Sequence, residues 1–91
     1  MAALFGFAYD EAALKYLATL QPKIRSQIRK KIEMLAQNPN PPGSKKLQGV
    51  DEGEEAIYRL RSGDYRILYA IRNHPDTIAV LDIGHRKDIY R

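Results

Sequence analysis

The chain has 91 residues, a formal net charge of +4 and no cysteine. This length suits one domain with a modest core, so we predict a single domain over residues 1–91. The lack of cysteine excludes a disulfide framework and thiolate chemistry, and with only two histidines neither a zinc site nor another cofactor is expected. The basic balance favours a polyanionic partner, with nucleic acid, an anionic membrane surface and an acidic protein as alternatives.

The first predicted elements are a strand and two helices. Phe5 and Phe7 alternate with smaller residues, which favours a strand, and this apolar opening is too short for a membrane span or a secretory signal. Asp10 is a candidate N-cap for a helix that runs through about Leu20. Pro22 suits the first turn of a second helix, joined to the first as an antiparallel hairpin. The apolar residues of this second helix recur at helical spacing at Ile24, Ile28, Ile32 and Leu35.

The outward face of the second helix is basic. Against the single acid Glu33 it carries Lys23, Arg25, Arg29, Lys30 and Lys31. Such a run is commonly a solvated helix face, and the alternative is a docking surface for nucleic-acid phosphates with salt-dependent affinity. Residues 44–55 are predicted to form a loop, in which Lys45 and Lys46 are further candidate RNA contacts.

The segment 56–71 alternates apolar and polar residues on both sides of a Ser-Gly-Asp turn, which predicts two antiparallel strands. A turn with an even number of residues pairs Arg66 with either Arg59 or Arg61. In both registers these three arginines share one face of the hairpin. Because like charges placed opposite each other destabilise a sheet, the cluster favours an anionic ligand. The alternative is a solvated face that nearby acids partly neutralise.

A third C-terminal strand is predicted over residues 77–83, apolar on both faces. Gly84 then lets the backbone turn into a basic-aromatic tail that contains His85, Arg86 and Tyr90. Together with the hairpin arginines, these residue types suit metal-free RNA cleavage by attack of a 2′-hydroxyl on the adjacent phosphorus. Histidine or tyrosine would transfer the protons, and arginine would bind the phosphate. The alternatives are that Tyr90 packs on the core and that His85 is a solvated or hydrogen-bonded residue at the strand end.

The predicted order β-α-α-β-β-β gives an α+β fold, with a helical hairpin on one face of an antiparallel sheet. With this order and these motifs, the chain resembles the RelE/ParE superfamily of bacterial and archaeal toxins, and within it the RelE-like branch. The resemblance runs almost end to end. It rests on Ala13-Leu14-Lys15-Tyr16-Leu17 before Pro22, on the hairpin from Tyr58 to Tyr69, and on the tail from Ile83 to Arg91.

The resemblance implies cleavage of mRNA in the ribosomal A site, which leaves a 2′,3′-cyclic phosphate. It also implies a co-produced antitoxin that wraps the toxin with a flexible segment. The expected partners are therefore the ribosome, mRNA and a cognate antitoxin, which forms a hetero-oligomer with the toxin. No membrane partner is expected, and the expected location is the cytoplasm.

The resemblance also implies roles for individual residues. Arg59 matches a basic active-site position, and Arg66 matches the arginine that holds the scissile phosphate. Arg86 matches a second arginine for the phosphate or the leaving group. Tyr90 matches a tyrosine assigned as general base or stacking platform, and His85 stands where members carry lysine or histidine.

Other residues and functions stay open. Arg61 is expected to be a surface charge or a contact to a partner, and not a residue that touches the reacting atoms. Ile57 departs from the family, whose well-studied nucleases carry lysine there, and this leaves room for a slower nuclease, a role for His85, or a toxin that binds without cutting. The alternatives to the mRNA endonuclease are a ParE-like inhibitor of DNA gyrase and a small RNA-binding module without toxicity that uses the basic helix face.

Overall fold

The structure, a computed structural model, describes residues 5–48, 55–73 and 75–85. The elements in chain order are β1 (Gly6–Tyr9), α1 (Glu11–Thr19), α2 (Pro22–Met34), β2 (Lys45–Gln48), β3 (Ile57–Ser62), β4 (Tyr65–Arg72) and β5 (Thr77–His85). The predicted α+β class and the order of helices and strands are confirmed. Two predicted site residues, Arg86 and Tyr90, lie outside the described residues.

The strands form one sheet in the order β1-β5-β4-β3-β2. Its neighbours are antiparallel except for β1 and β5, which run parallel, so the sheet is mixed rather than wholly antiparallel. The segment 44–55 was predicted to be a loop, but Lys45–Gln48 pairs with β3 as an edge strand. The sequence Lys45-Lys46-Leu47-Gln48 lacks clean alternation, and a register shift interrupts its pairing with β3. This strand therefore depends on its partner rather than on local propensity.

The two helices begin where their sequences predict. Asp10 precedes α1 with extended backbone, although its side chain makes no capping hydrogen bond. Pro22 occupies the first turn of α2, where a missing N–H costs nothing. The helices lie against one face of the sheet, with α1 next to β5 and α2 next to β3. Within the described residues, no helix is long and apolar enough to span a membrane.

The core lies between the helices and this sheet face, which we call the helix face. The helical side of the core consists of Ala13, Leu17, Ile28, Ile32 and Leu35. The sheet side consists of Leu60, Ile67, Tyr69, Ile78, Val80 and Ile83. Each large apolar side chain buried here contributes about 1.5–3 kcal/mol. The Tyr69 hydroxyl donates a hydrogen bond to the Pro39 carbonyl at 2.7 Å, which ties the middle of β4 to the loop after α2.

Candidate active site

The hairpin between β3 and β4 turns at Gly63 and Asp64. Its register places Arg61 opposite Arg66 and Ser62 opposite Tyr65, which selects one of the two predicted registers. Gly63 has a φ of 61°, in the left-handed region that glycine adopts without a steric penalty. A two-residue turn with such a φ matches the twist of the strands that flank it.

Arg59, Arg61 and Arg66 share the face of the sheet that points away from the helices, which we call the arginine face. Arg66 is 7% exposed, Arg59 is half-buried and Arg61 is exposed. Arg66 Nη1 donates to the Tyr65 carbonyl at 3.4 Å. Because water screens a largely buried guanidinium poorly, Arg66 attracts an anion more strongly than a surface arginine does.

The edge strand adds a further cation to the arginine face. Lys45 is the register partner of Arg59, so the two side chains point to the same side of the sheet. Lys46 is the partner of Tyr58, whose ring stacks on Tyr69 at 5.6 Å on the helix face. The structure therefore brings Lys45 to the arginine cluster and separates Lys46 from it.

His85 lies on the helix face, away from the arginines. Its strand partner is Tyr65, and the two rings meet edge-on with centroids 5.5 Å apart. The Tyr65 ring in turn meets the ring of Tyr16 on α1 at 6.4 Å. The partner of Arg66 is Gly84, because β5 continues to His85 where the sequence predicted a turn after residue 83. The sheet itself therefore stands between the His85 imidazole and Arg66.

Sequence reasoning missed Asp82. Ile78 and Val80 face the core, so simple alternation would also point Asp82 towards the helices. A register shift makes Val80 the partner of Tyr69 and Asp82 the partner of Leu68, which leaves Leu81 as an extra residue. This β-bulge turns Asp82 onto the arginine face. No signal in the sequence marks it, since the pairing partners of β5 decide where a bulge forms.

The outer surface of α2 holds the second group of cations, the predicted Lys23, Arg25, Arg29, Lys30 and Lys31. All are exposed except Arg25, which is half-buried and donates from Nη2 to the Leu20 carbonyl at 2.9 Å. Arg25 and Arg29 line a groove of about 330 Å³ beside Tyr9 and Leu14. Burial raises the pKa of the Tyr9 hydroxyl, and the charge of Arg29 opposes this rise.

The two groups of cations form separate surfaces. Ile28 and Ile32 of α2 point into the core, so the helix layer and the sheet lie between the basic helix surface and the arginine face. At the far end of the arginine face, Arg72 donates from Nε and Nη2 to both carboxylate oxygens of Glu55. This hydrogen bonding lowers the pKa of Glu55. The positive charge of the face is therefore concentrated near the β3–β4 turn.

The family comparison and the similarity to individual proteins both indicate a toxin. The family model described as the ParE toxin of the type II toxin-antitoxin system, parDE, matches residues 8–90. The chain is 32% identical to a putative RelE-like toxin protein of Escherichia coli, over 90% of this chain and 85% of that protein. It is 29% identical to the mRNA interferase toxin RelE of Escherichia coli K12, over 87% of this chain and 80% of that protein.

Solved structures show the same likeness. The toxin of the archaeal RelE-RelB complex from Pyrococcus horikoshii OT3 matches with a TM-score of 0.79 at 24% identity, covering 93% of this chain and 98% of that chain. The toxin of the intact Escherichia coli RelBE complex matches with a TM-score of 0.70 at 26% identity, covering 89% and 95% of the two chains. Helices and sheet are thus arranged as in RelE toxins.

Proposed function

This chain belongs to the RelE/ParE superfamily of toxins from type II toxin-antitoxin systems, and from this membership we propose that it is a ribosome-dependent mRNA endonuclease. Its substrate is mRNA in the ribosomal A site, and cleavage stops translation in the cytoplasm. The observation that carries the proposal is the arginine face, where the largely buried Arg66 lies opposite Arg61 and beside Arg59.

The proposed reaction needs no metal. The 2′-oxygen attacks the adjacent phosphorus, the bond from phosphorus to the 5′-oxygen breaks, and the products carry a 2′,3′-cyclic phosphate and a 5′-hydroxyl. Arg66 and Arg59 bind the non-bridging phosphate oxygens, whose negative charge grows in the transition state. Preorganised charges of this kind give about 10²–10³-fold in rate for each donor.

The tail is proposed to take the proton of the 2′-hydroxyl, and the departing 5′-oxygen takes up a proton from water to give the 5′-hydroxyl. Tyr90 is proposed as the base or as a stacking platform, and Arg86 as the residue that stabilises the leaving group, as the resemblance implies. The position of His85 on the helix face disfavours it as the proton carrier at a phosphate held by Arg66. We therefore propose that His85 supports the fold at the end of β5.

The basic surface of α2 is proposed to bind ribosomal RNA. Lys23, Lys30 and Lys31 are exposed on it, and exposed lysines bind phosphates without sequence preference. Further RNA contacts are proposed on the sheet: Lys45 and Arg61 on the arginine face, and Lys46 on the other side of the edge strand. Such contacts make the affinity for ribosomes fall with salt.

A cognate antitoxin is the proposed protein partner. The RelE of Escherichia coli, 26% identical to this chain, forms a complex with RelB. A cognate antitoxin would restrain the toxicity of this chain by binding it in a hetero-oligomer.

A second candidate function is inhibition of DNA gyrase. It is favoured by the ParE description of the matching family model. The arginine face and the likeness to an mRNA interferase of Escherichia coli K12 favour the nuclease instead.

Primer extension on programmed ribosomes tests the proposal. We expect wild-type protein to cut mRNA in the A site, and the cuts to disappear without ribosomes or with Arg66→Ala. Arg72→Ala is the matched control, because Arg72 lies on the same strand but pairs with Glu55. Intact mRNA with folded wild-type protein would contradict the nuclease, and a gyrase supercoiling assay would then test the second candidate.

A further inference from the structure

We propose that Asp82 is a specificity-determining residue of the arginine face, which accepts a hydrogen bond from the ribose 2′-hydroxyl next to the phosphate that Arg66 holds. The inference rests on the proposed function and deepens it, because it explains how the site distinguishes RNA from DNA. Its support comes from the β-bulge, the position of Asp82 among the cations, and the chemistry of a carboxylate.

The β-bulge is the first observation. Without the bulge at Leu81, alternation along β5 would point Asp82 into the core, as it does Ile78 and Val80. With it, Asp82 faces the arginines and Ile83 fills the core, 2% exposed. Bulges are enriched next to active sites, where they re-aim a side chain. The bulge in β5 re-aims the carboxylate towards the candidate site.

The second observation is the neighbourhood of Asp82 in the sheet. Its register partner is Leu68, whose other partner is Arg59, so Asp82 and Arg59 lie in one row across β5, β4 and β3. Arg66 pairs with Gly84, two residues further along β5. Asp82 and Arg66 are therefore diagonal neighbours, with about 7–8 Å between such positions. That separation allows one nucleotide to contact both side chains.

The carboxylate is also held in place. Asp82 is half-buried, and its Oδ1 accepts a hydrogen bond from the backbone N–H of Ile83 at 2.9 Å. This bond restrains the side-chain rotamer at the strand surface. A carboxylate has two oxygens with several lone pairs, so one bond to the backbone leaves capacity for another donor.

The carboxylate of Asp82 favours a hydrogen-bond donor, such as a hydroxyl, over a phosphate. An ionised carboxylate only accepts hydrogen bonds, and the phosphate oxygens of RNA are acceptors as well, so Asp82 repels the phosphates that the arginines attract. The 2′-hydroxyl is a donor close to the phosphate, and DNA lacks it. A hydrogen bond to Asp82 would hold this hydroxyl, the nucleophile of the proposed reaction, beside the phosphate bound by Arg66.

Equilibrium binding tests the inference apart from cleavage. The probes are a fluorescent single-stranded RNA oligonucleotide and the same sequence as DNA, measured by anisotropy at low salt. We expect wild-type protein to prefer RNA, and Asp82→Ala to reduce the RNA/DNA affinity ratio about tenfold, the order expected for one hydrogen bond to a charged group. Asp82→Asn, which keeps a weaker acceptor and the size of the side chain, is expected to reduce the ratio less.

The control is Asp76→Asn, which removes the same charge from an exposed turn before β5 and should leave the ratio unchanged. If Asp82 acted only by repelling anions, its removal would raise the affinity for RNA and DNA equally. That outcome, or a wild-type protein without preference for RNA, would overturn the inference. Thermal unfolding of each variant checks its fold. Failure of the nuclease proposal shows separately, as uncut mRNA on ribosomes with wild-type protein.

Discussion

Arg61 lies directly opposite Arg66 across the β3–β4 hairpin, next to the Gly63-Asp64 turn. Two like charges in this position oppose strand pairing, typically by about 0.2–1 kcal/mol. An anion bound between the two guanidiniums would relieve this repulsion.

Replacement of Arg61 by threonine should stabilise the folded protein by up to about 1 kcal/mol, because it removes the repulsion and suits a strand. Inorganic phosphate should raise the melting temperature of wild-type protein more than that of Arg61→Thr. Thermal unfolding with and without phosphate measures both effects. A variant that is less stable than wild type without phosphate would show that the repulsion is already compensated within the fold.

Replacement of His85 separates packing from proton transfer. His85→Phe preserves an aromatic ring against Tyr65 and should retain A-site cleavage. His85→Ala removes the edge-on contact and should lower the free energy of unfolding by about 0.5–1.5 kcal/mol. Chemical denaturation and primer extension measure the two properties. A stable His85→Phe variant that no longer cuts mRNA would show that His85 takes part in the reaction.

The buried tyrosines predict a loss of stability in alkaline solution. Burial raises the pKa of the Tyr69 hydroxyl above its usual 10.0, although a hydrogen bond with Ser44 opposes the rise. The folded state therefore holds the proton more tightly than the unfolded state. The resulting stability is fully present below pH 10 and is lost as pH rises through the folded-state pKa.

Tyr69→Phe tests this pH dependence. The variant should be less stable near neutral pH by about 0.5–1.5 kcal/mol, because the hydrogen bond to the Pro39 carbonyl is lost. Its stability should fall less steeply between pH 9 and 12 than that of wild type. Urea denaturation across this pH range gives both values. Parallel pH profiles would assign the alkaline loss to other groups, such as Tyr9.

Charge reversal on α2 should weaken binding to ribosomes without disturbing the fold. In Lys30→Glu/Lys31→Glu, both changed residues are exposed, so the melting temperature should stay close to that of wild type. The slope of log affinity against log salt should flatten by about 0.7 for each phosphate contact to single-stranded RNA that is lost. Ribosome co-sedimentation at several salt concentrations measures this slope.

The matched control for this prediction is Lys15→Glu on α1, an exposed lysine that pairs with Glu11. It changes the charge by the same amount per residue on the neighbouring helix. If it weakened ribosome binding as strongly per charge as the α2 changes do, the effect would reflect net charge and not a docking surface.

Local patterns carried the sequence predictions that the structure confirms. The spacing of Ile28 and Ile32 predicts the buried side of α2, and Pro22 predicts its first turn. Alternation on both sides of the turn predicts that the hairpin arginines share a face, and it narrows the register to two choices. These properties depend on residues close in the chain, so a single sequence is enough to read them.

Pairing between strands that are distant in the chain decided the structural features that could not be predicted from the sequence. The strand at Lys45–Gln48 forms because β3 supplies hydrogen-bond partners, and β1, at the other edge of the sheet, pairs in parallel with β5. Gly84 continues β5 instead of ending it, since β4 offers a partner at Arg66. None of these partners is a neighbour in sequence.

Local sequence patterns were thus enough to predict the α+β class, the two helices and four of the five strands in their order, and the face that carries the arginines. The tertiary structure alone decided which chemical groups join that face: the strand register placed His85 on the far side, and the β-bulge at Leu81 brought Asp82 to the near side. A one-residue shift in pairing reverses the direction of a strand side chain, and pairing is settled between strands that are distant in the chain.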